Sequence, residues 1–254
     1  MKILGIDTTA GEGSVSLFAG GRPAATLRFE GGRKHSVNLF QAVEDLIRQS
    51  GCALRDVDLI SVAAGPGSFT GIRVGLAAAK GWAEALGKPV VGVSVLEAMA
   101  ADFSFSTGLG KQRANQGANP VANQWTVPVL DAERGELYAG FYRPSGQEAG
   151  RRTECAPPEA ASIVLKASEF PQRLREKFGE EACFTLLVRA GQRTGAALQS
   201  LGDGRIAVNQ VRTPMAELVA RLGEARFGGS GGGQPEALTA FYLRRPDAEI
   251  HWKD

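Results

Sequence analysis

Histidine is scarce in this chain. His35 and His251 are the only two among 254 residues, and they lie far apart. A helical metal pair would need a second ligand one turn after His35, and Leu39 stands there, so neither HxxxH nor HExxH is present and metal-dependent peptidase chemistry is disfavoured. His35 reads instead as a helix-start residue. Cysteine is nearly as sparse: Cys52, Cys155 and Cys183 are odd in number and form no CxxC pair. That argues against a disulfide framework and a zinc ribbon, and points to buried thiols in a reducing compartment. Long apolar runs are missing too. The opening MKILGID is too short for a signal-peptide core and ends in a carboxylate, and no later run approaches transmembrane length, so the cytoplasm is expected and a membrane partner is not. GxSxG is absent, and Ser68 has no histidine nearby, which disfavours a serine hydrolase. A net charge of +2 is too mild to predict a nucleic-acid footprint by itself.

The composition that remains, 43% hydrophobic and 22% charged, suits one large core or two packed halves. Ile3–Ile6, SVSLF and ATLRF read as three strands separated by turns. From Ser36 to Gln49, Leu39, Phe40, Val43, Leu46 and Ile47 recur at helical spacing, with Glu44, Asp45 and Arg48 opposite and Gly51 as the stop. A strand at 59–64, a helix at about 70–86, a strand PVVGV and a helix capped by Ser94 follow. Residues 104–124, rich in Gly, Asn and Gln, read as a flexible connection. After it the opening pattern returns. WTVPVLDAERGELYAGFY repeats the layout of ILGIDTTAGEGSVSLF, with Asp131 where Asp7 falls and about half a chain between them, as in a duplicated unit. The repeat divides the chain into a first half at 1–103, the connection, and a second half at 125–254. In the second half a strand at 183–188 and helices near 194–200 and 215–227 are expected, then a glycine-rich linker GGSGGGQP and an apolar tail LTAFYLRRP that docks back on the body.

The stretch GPGSFTGIRVG, Gly65 to Gly75, admits two readings. It lacks the lysine and spacing of GxxxxGK[ST] and does not fit GxGxxG, yet amides at the start of the following helix attract anions in general. Alternatively it is turn geometry: Gly65 and Gly67 take backbone angles closed to other residues, Pro66 fixes a torsion, and Ser68 or Thr70 caps the helix. That helix is apolar around most of its circumference. One face carries Ile72, Leu76, Ala79, Ala83 and Leu86, the adjoining face Gly71, Gly75, Ala78 and Trp82, and Arg73, Lys80 and Glu84 fill one narrow stripe. Such a helix is covered on two sides, by the 36–49 helix or by a partner's helix lying against its small residues. Asp7 and Asp131, each at a strand end before a tight turn, either hold a metal-bound phosphate or act as acid and base, or else bond the amides of their own turns. Arg244 and Arg245 are either an RNA phosphate contact or solvated charge.

In order along the chain, IDTTAGEGSVSLF, the His35 helix, AAGPGSFTGIRVGLAAAKGWA, PVVGVSVLEAMA, VLDAERGELYAGFY and the final FYLRRP resemble the bacterial TsaB family, also called YeaZ. The likeness is close over 1–102, good over 126–143 and loose elsewhere, where LLVRAGQRT replaces a glycine turn common in relatives. It implies a duplicated α/β fold of the actin, Hsp70 and sugar-kinase (ASKHA) type: two halves, each with a mixed β-sheet flanked by helices. It also implies a non-catalytic scaffold subunit in the formation of N6-threonylcarbamoyladenosine beside the tRNA anticodon, without cofactor or metal. The implied partners are a TsaD-like catalytic subunit and a TsaE-like ATPase, with tRNA reached through the complex and a homodimer in isolation. The family's pairing of first-half helices maps onto His35, Leu39, Val43, Gly71, Arg73, Gly75, Ala78 and Trp82. The rival expectations are a free-standing ATPase or phosphotransferase of the same fold, using Asp7 and Asp131, and a metallopeptidase.

Overall fold

The structure, a computed structural model, describes residues 1–31, 35–106, 124–143, 162–191, 198, 204–230 and 233–243. The 107–123 part of the connection, the helix expected near 194–200 apart from residue 198, Cys155, Arg244, Arg245 and His251 lie outside the described residues.

Five strands form the first sheet: β1 (Lys2–Asp7), β2 (Glu12–Ala19), β3 (Arg22–Glu30), β4 (Leu59–Gly65) and β5 (Val90–Ser94), in the order β3-β2-β1-β4-β5. β1 pairs antiparallel with β2, as β2 does with β3, and β1, β4 and β5 run parallel. The second sheet contains β6 (Gln124–Asp131), β7 (Glu136–Gly140), β8 (Ser162–Lys166), β9 (Cys183–Arg189) and β10 (Ile206–Val211). Read from β8, its order is β8-β7-β6-β9-β10, with the same sequence of antiparallel and parallel pairings. The central strand of each sheet ends in an aspartate. This is the duplicated ASKHA arrangement, and it accounts for the internal repeat.

β1 is a continuous apolar run because it is covered on both faces. Side chains alternate along a strand, so Leu4 and Ile6 enter the cluster formed with α1 (His35–Ser50) and α2 (Phe69–Leu86), while Ile3 joins Phe18, Leu59 and Ala220 on the other side. That other side is covered by α5 (Met215–Ser230), which packs on β1, β2, β4 and β5. The approach is close: a Cβ on Gly5 would sit 2.1 Å from the Ala216 carbonyl oxygen. Buried strand hydroxyls serve the helix backbone, the Ala216 amide donating to Ser14 Oγ at 3.1 Å and Ser61 Oγ donating to the Val219 carbonyl at 2.7 Å. Arg226 of α5 donates to the Gly92 carbonyl at 2.6 Å and pairs with Glu97 of α3 (Val95–Ser106).

The boundary therefore differs from the sequence expectation of a second half closing at residue 254. The two compact units are Met1–Ala98 with Thr213–Asp254, and Met99–Arg212. The physical reason is the apolar face of α5, which is buried on the first sheet. The glycine-rich linker also differs. α5 continues to Ser230, and the Gly233 carbonyl accepts from the Val90 amide at 3.2 Å, so the chain pairs with β5 where free linker was expected. Unit 2 has its own core, with Val127, Val129, Leu186 and Val188 packed beside Phe170 and Leu174 of α4 (Phe170–Phe178). Cys52 and Cys183 are free thiols and half-buried rather than buried.

Candidate functional site

The turn between β1 and β2 and the loop before α2 form one packed body. Asp7 is fully buried and accepts from the Thr9 amide at 2.9 Å and from Thr9 Oγ1 at 2.6 Å. Thr8 Oγ1 donates to the Gly71 carbonyl at 2.6 Å, and the Ser68 amide donates to the Thr9 carbonyl at 2.8 Å. Ser68 caps α2, its Oγ accepting from the Gly71 amide at 3.3 Å; Thr70 lies exposed within the first turn. Gly65 and Gly67 have φ of 117° and 154°, in the region glycine favours, around the buried Pro66. The remaining glycines make room. A Cβ would lie 2.3 Å from the Thr9 carbonyl oxygen at Gly67, 1.9 Å from that of Thr8 at Gly71, and 2.4 Å from Thr8 Oγ1 at Gly75. The sequence expectation that Gly71 and Gly75 open α2 to a partner's helix is thereby corrected: both are buried, and what approaches them is the chain's own β1–β2 turn, through the Thr8 backbone at Gly71 and the Thr8 side chain at Gly75.

Asp131 is exposed and accepts from the Glu133 amide at 2.8 Å. Each of the two strand-end carboxylates thus bonds the residue two places on in its own turn. Among the described residues no three His, Cys, Asp or Glu side chains gather into a group able to hold a metal, and no helix is long and apolar enough to cross a membrane.

On α1, which begins at His35, the stripe of Leu39, Val43 and Leu46 is buried in the first unit's core, so Leu39 and Val43 are corrected from partner-facing to core residues. Ala78 is also nearly covered. The exposed apolar side lies one step round. Val37 is 65% exposed and Phe40 52%, and the Phe40 ring meets half-buried Trp82 edge-on at 5.1 Å. Ser36, Phe40, Val74, Ala77, Ala78, Gly81 and Trp82 line an open groove of about 360 Å³ between the two helices. The sequence carried half of the signal for Phe40, that one of two neighbours faces out, but not which. Leu39 and Phe40 are adjacent and both apolar, and neighbours on a helix point about 100° apart, so a core face narrow enough to take one leaves the other outside.

At the start of α2, Arg73 is exposed, its guanidinium carbon 3.8 Å from the centre of the Phe69 ring. Arg73 Nε donates to the Tyr242 hydroxyl at 3.2 Å, and Tyr242 also packs on Phe69 at 5.1 Å between ring centres. The tail carrying Tyr242 is held by the Phe241 amide, which donates to the Ala64 carbonyl at 2.8 Å, and by Leu238, buried in the first unit's core.

The family model of tRNA N6-adenosine threonylcarbamoyltransferase, TsaD, matches residues 29–172, which include α1, α2 and α3. The tRNA threonylcarbamoyladenosine biosynthesis protein TsaB of Escherichia coli (strain K12) is 33% identical over 182 residues, covering 71% of this chain and 69% of that protein. The chain belongs to the TsaB (YeaZ) family. TsaB of Bacillus subtilis (strain 168) is 28% identical over 257 residues, with 99% of this chain and 98% of that protein aligned. Among solved structures, YeaZ from Pseudomonas aeruginosa superimposes with a TM-score of 0.68 at 26% identity, over 95% of this chain and 99% of the other. The resemblance to TsaB thus spans both units and the α1–α2 face.

Proposed function

We propose that this TsaB-family chain acts in the biosynthesis of N6-threonylcarbamoyladenosine in tRNA, as the non-catalytic subunit that docks a TsaD-like catalytic chain. The observation that carries this reading is the apolar α1–α2 groove, with Phe40 and Val37 left in water where few other large apolar side chains among the described residues are exposed. An exposed contiguous apolar patch marks an interaction surface. Both helices fall within the segment matched by the TsaD family model, so the catalytic relative carries a corresponding segment, and a helix pair meeting a helix pair gives a four-helix contact. The same face serves a homodimer when the partner is absent. A TsaE-like ATPase completes the assembly, and tRNA is met through the complex. The two carboxylates that a phosphotransferase would use are engaged by their own turns, which supports assigning the chemistry to the partner.

The test is sedimentation of the purified chain alone and mixed with TsaD from the same organism, with threonylcarbamoyl transfer assayed in the mixture. A heterodimer, with transfer only when both chains are present, is expected. Phe40→Glu should leave stability within about 0.5 kcal/mol, as exposed substitutions do, while weakening the heterodimer by about 30-fold or more, the cost of losing an interface anchor. Leu39→Ala should do the reverse, costing about 2–5 kcal/mol of stability as a core truncation. No association with TsaD, together with ATP turnover by the chain alone, would overturn the reading.

A further inference from the structure

The first-turn cluster of α2 is built more tightly than a surface arginine requires. Arg73 is held by two aromatic groups from distant parts of the chain: its Cζ sits over the Phe69 ring, 3.8 Å from the centre, and its Nε is tied to the Tyr242 hydroxyl. Among the described residues no carboxylate pairs with it, so the two Nη groups remain as donors. Exposed arginines ordinarily sample many rotamers, and stacking with a single fixed hydrogen bond removes much of that freedom in advance. Position adds a second observation. Phe69, Arg73, Ala77 and Gly81 succeed one another at four-residue steps, so they form one row along α2, and Ala77 and Gly81 line the apolar groove. Of the large apolar side chains exposed among the described residues, Val37, Phe40 and Tyr242 belong to the α1–α2 pair or to this cluster, and only Met1 lies elsewhere.

We infer that Arg73, oriented by Phe69 and the tail residue Tyr242, is a preorganised docking arginine that takes a carboxylate of the protein partner at the end of the α1–α2 groove. The inference rests on the docking reading above and adds its polar anchor. A planar guanidinium with paired Nη donors matches a carboxylate bidentately, and an arginine beside an apolar groove is the residue type that anchors interfaces. The C-terminal tail thereby becomes part of the docking surface, since it supplies the group that holds the fork.

The experiment measures the affinity of the full-length chain and its variants for TsaD of the same organism over a range of sodium chloride, with thermal melting as the check on folding. Arg73→Ala should weaken binding by about 30-fold. Arg73→Lys keeps the charge without the fork and should recover only a minor part of that loss. Tyr242→Phe removes the hydrogen bond that holds the guanidinium in place while keeping the ring, and should cost about 5-fold. Salt should weaken the parent complex more steeply than the Arg73→Ala complex, a difference that loss of packing alone would not produce. Phe40→Glu separates the two proposals. If it abolishes binding while Arg73→Ala binds like the parent, the docking arginine is overturned and the docking face stands. If neither variant matters, the face itself is wrong. If Arg73→Ala leaves the protein complex intact and weakens only its hold on tRNA, the inference is overturned in favour of a phosphate contact.

Discussion

The turns that follow the two central strands start from the same chemistry and end in opposite environments. Asp7 and Asp131 each close a central strand, each accepts the amide two residues on, and in each case four residues separate the aspartate from the next strand. Yet Asp7 is fully buried, with Thr9 hydroxyl and amide both upon it, whereas Asp131 stands in solvent beside Glu133 and Arg134, which take left-handed backbone angles of 63° and 52°. What differs is the neighbour. In unit 1 the loop before α2 and the first two turns of that helix lay Gly67, Gly71 and Gly75 directly on the turn. A strand-end carboxylate is therefore not a site by itself; the element packed over the turn decides whether it belongs to the core or to the surface.

Substitutions in and around the two turns should differ in cost, measured as urea denaturation of each variant against the parent. The largest effect should come at Gly71. A methyl group there meets a backbone oxygen that has nowhere to move, and Gly71→Ala should cost about 3 kcal/mol or prevent folding, as overpacking against fixed backbone does. Its counterpart Gly135→Ala, in the β6–β7 turn with open space around it and a φ of 78°, should cost about 1 kcal/mol, from the backbone angle alone. Next, Asp7→Ala should cost about 2–3 kcal/mol, because it strands a buried amide and hydroxyl, while Asp131→Ala should stay under about 1 kcal/mol because water replaces the lost acceptor. Equal costs at the two aspartates would end the distinction drawn here. The smallest effect sharpens the description of the α2 start: Ser68→Ala should lose about 1 kcal/mol with its cap, and Thr70→Ala, exposed and outside the cap, a few tenths.

Much of the fold could be read from the chain. The alternation in SVSLF, the helical spacing of Leu39, Val43 and Leu46, and the return of the β1–β2 layout at β6–β7 are local patterns, and local patterns survive in sequence. β8, α4 and β10 were not anticipated, for identifiable reasons. SIVLK is a five-residue strand, FPQRLREKF is two polar turns held by Phe170 and Leu174, and β10 gives a weak signal because only Val211 of its six residues is buried. The site was legible as a pair of helices and illegible as a face. Periodicity identifies which residues share a side, but the same stripe serves equally well for a core or for a partner. Only the packing shows that Leu39 and Val43 turn inward and Phe40 outward, and that Gly71 and Gly75 receive Thr8. Tyr242 was beyond reach altogether, since no sequence spacing links it to Arg73.

The placement of α5 bears on how the molecule is made. A ribosome releases the first sheet early, but the face of β1, β2 and β4 that α5 covers, with Gly5, Ser14 and Ser61 upon it, has no cover until the helix starting at Met215 has also emerged. Domains usually mature in the order of their synthesis. Here the segment that begins first is completed last, so a transcript cut short after residue 212 would leave the unit that bears the α1–α2 face unfinished, even though every residue of that face had already been translated.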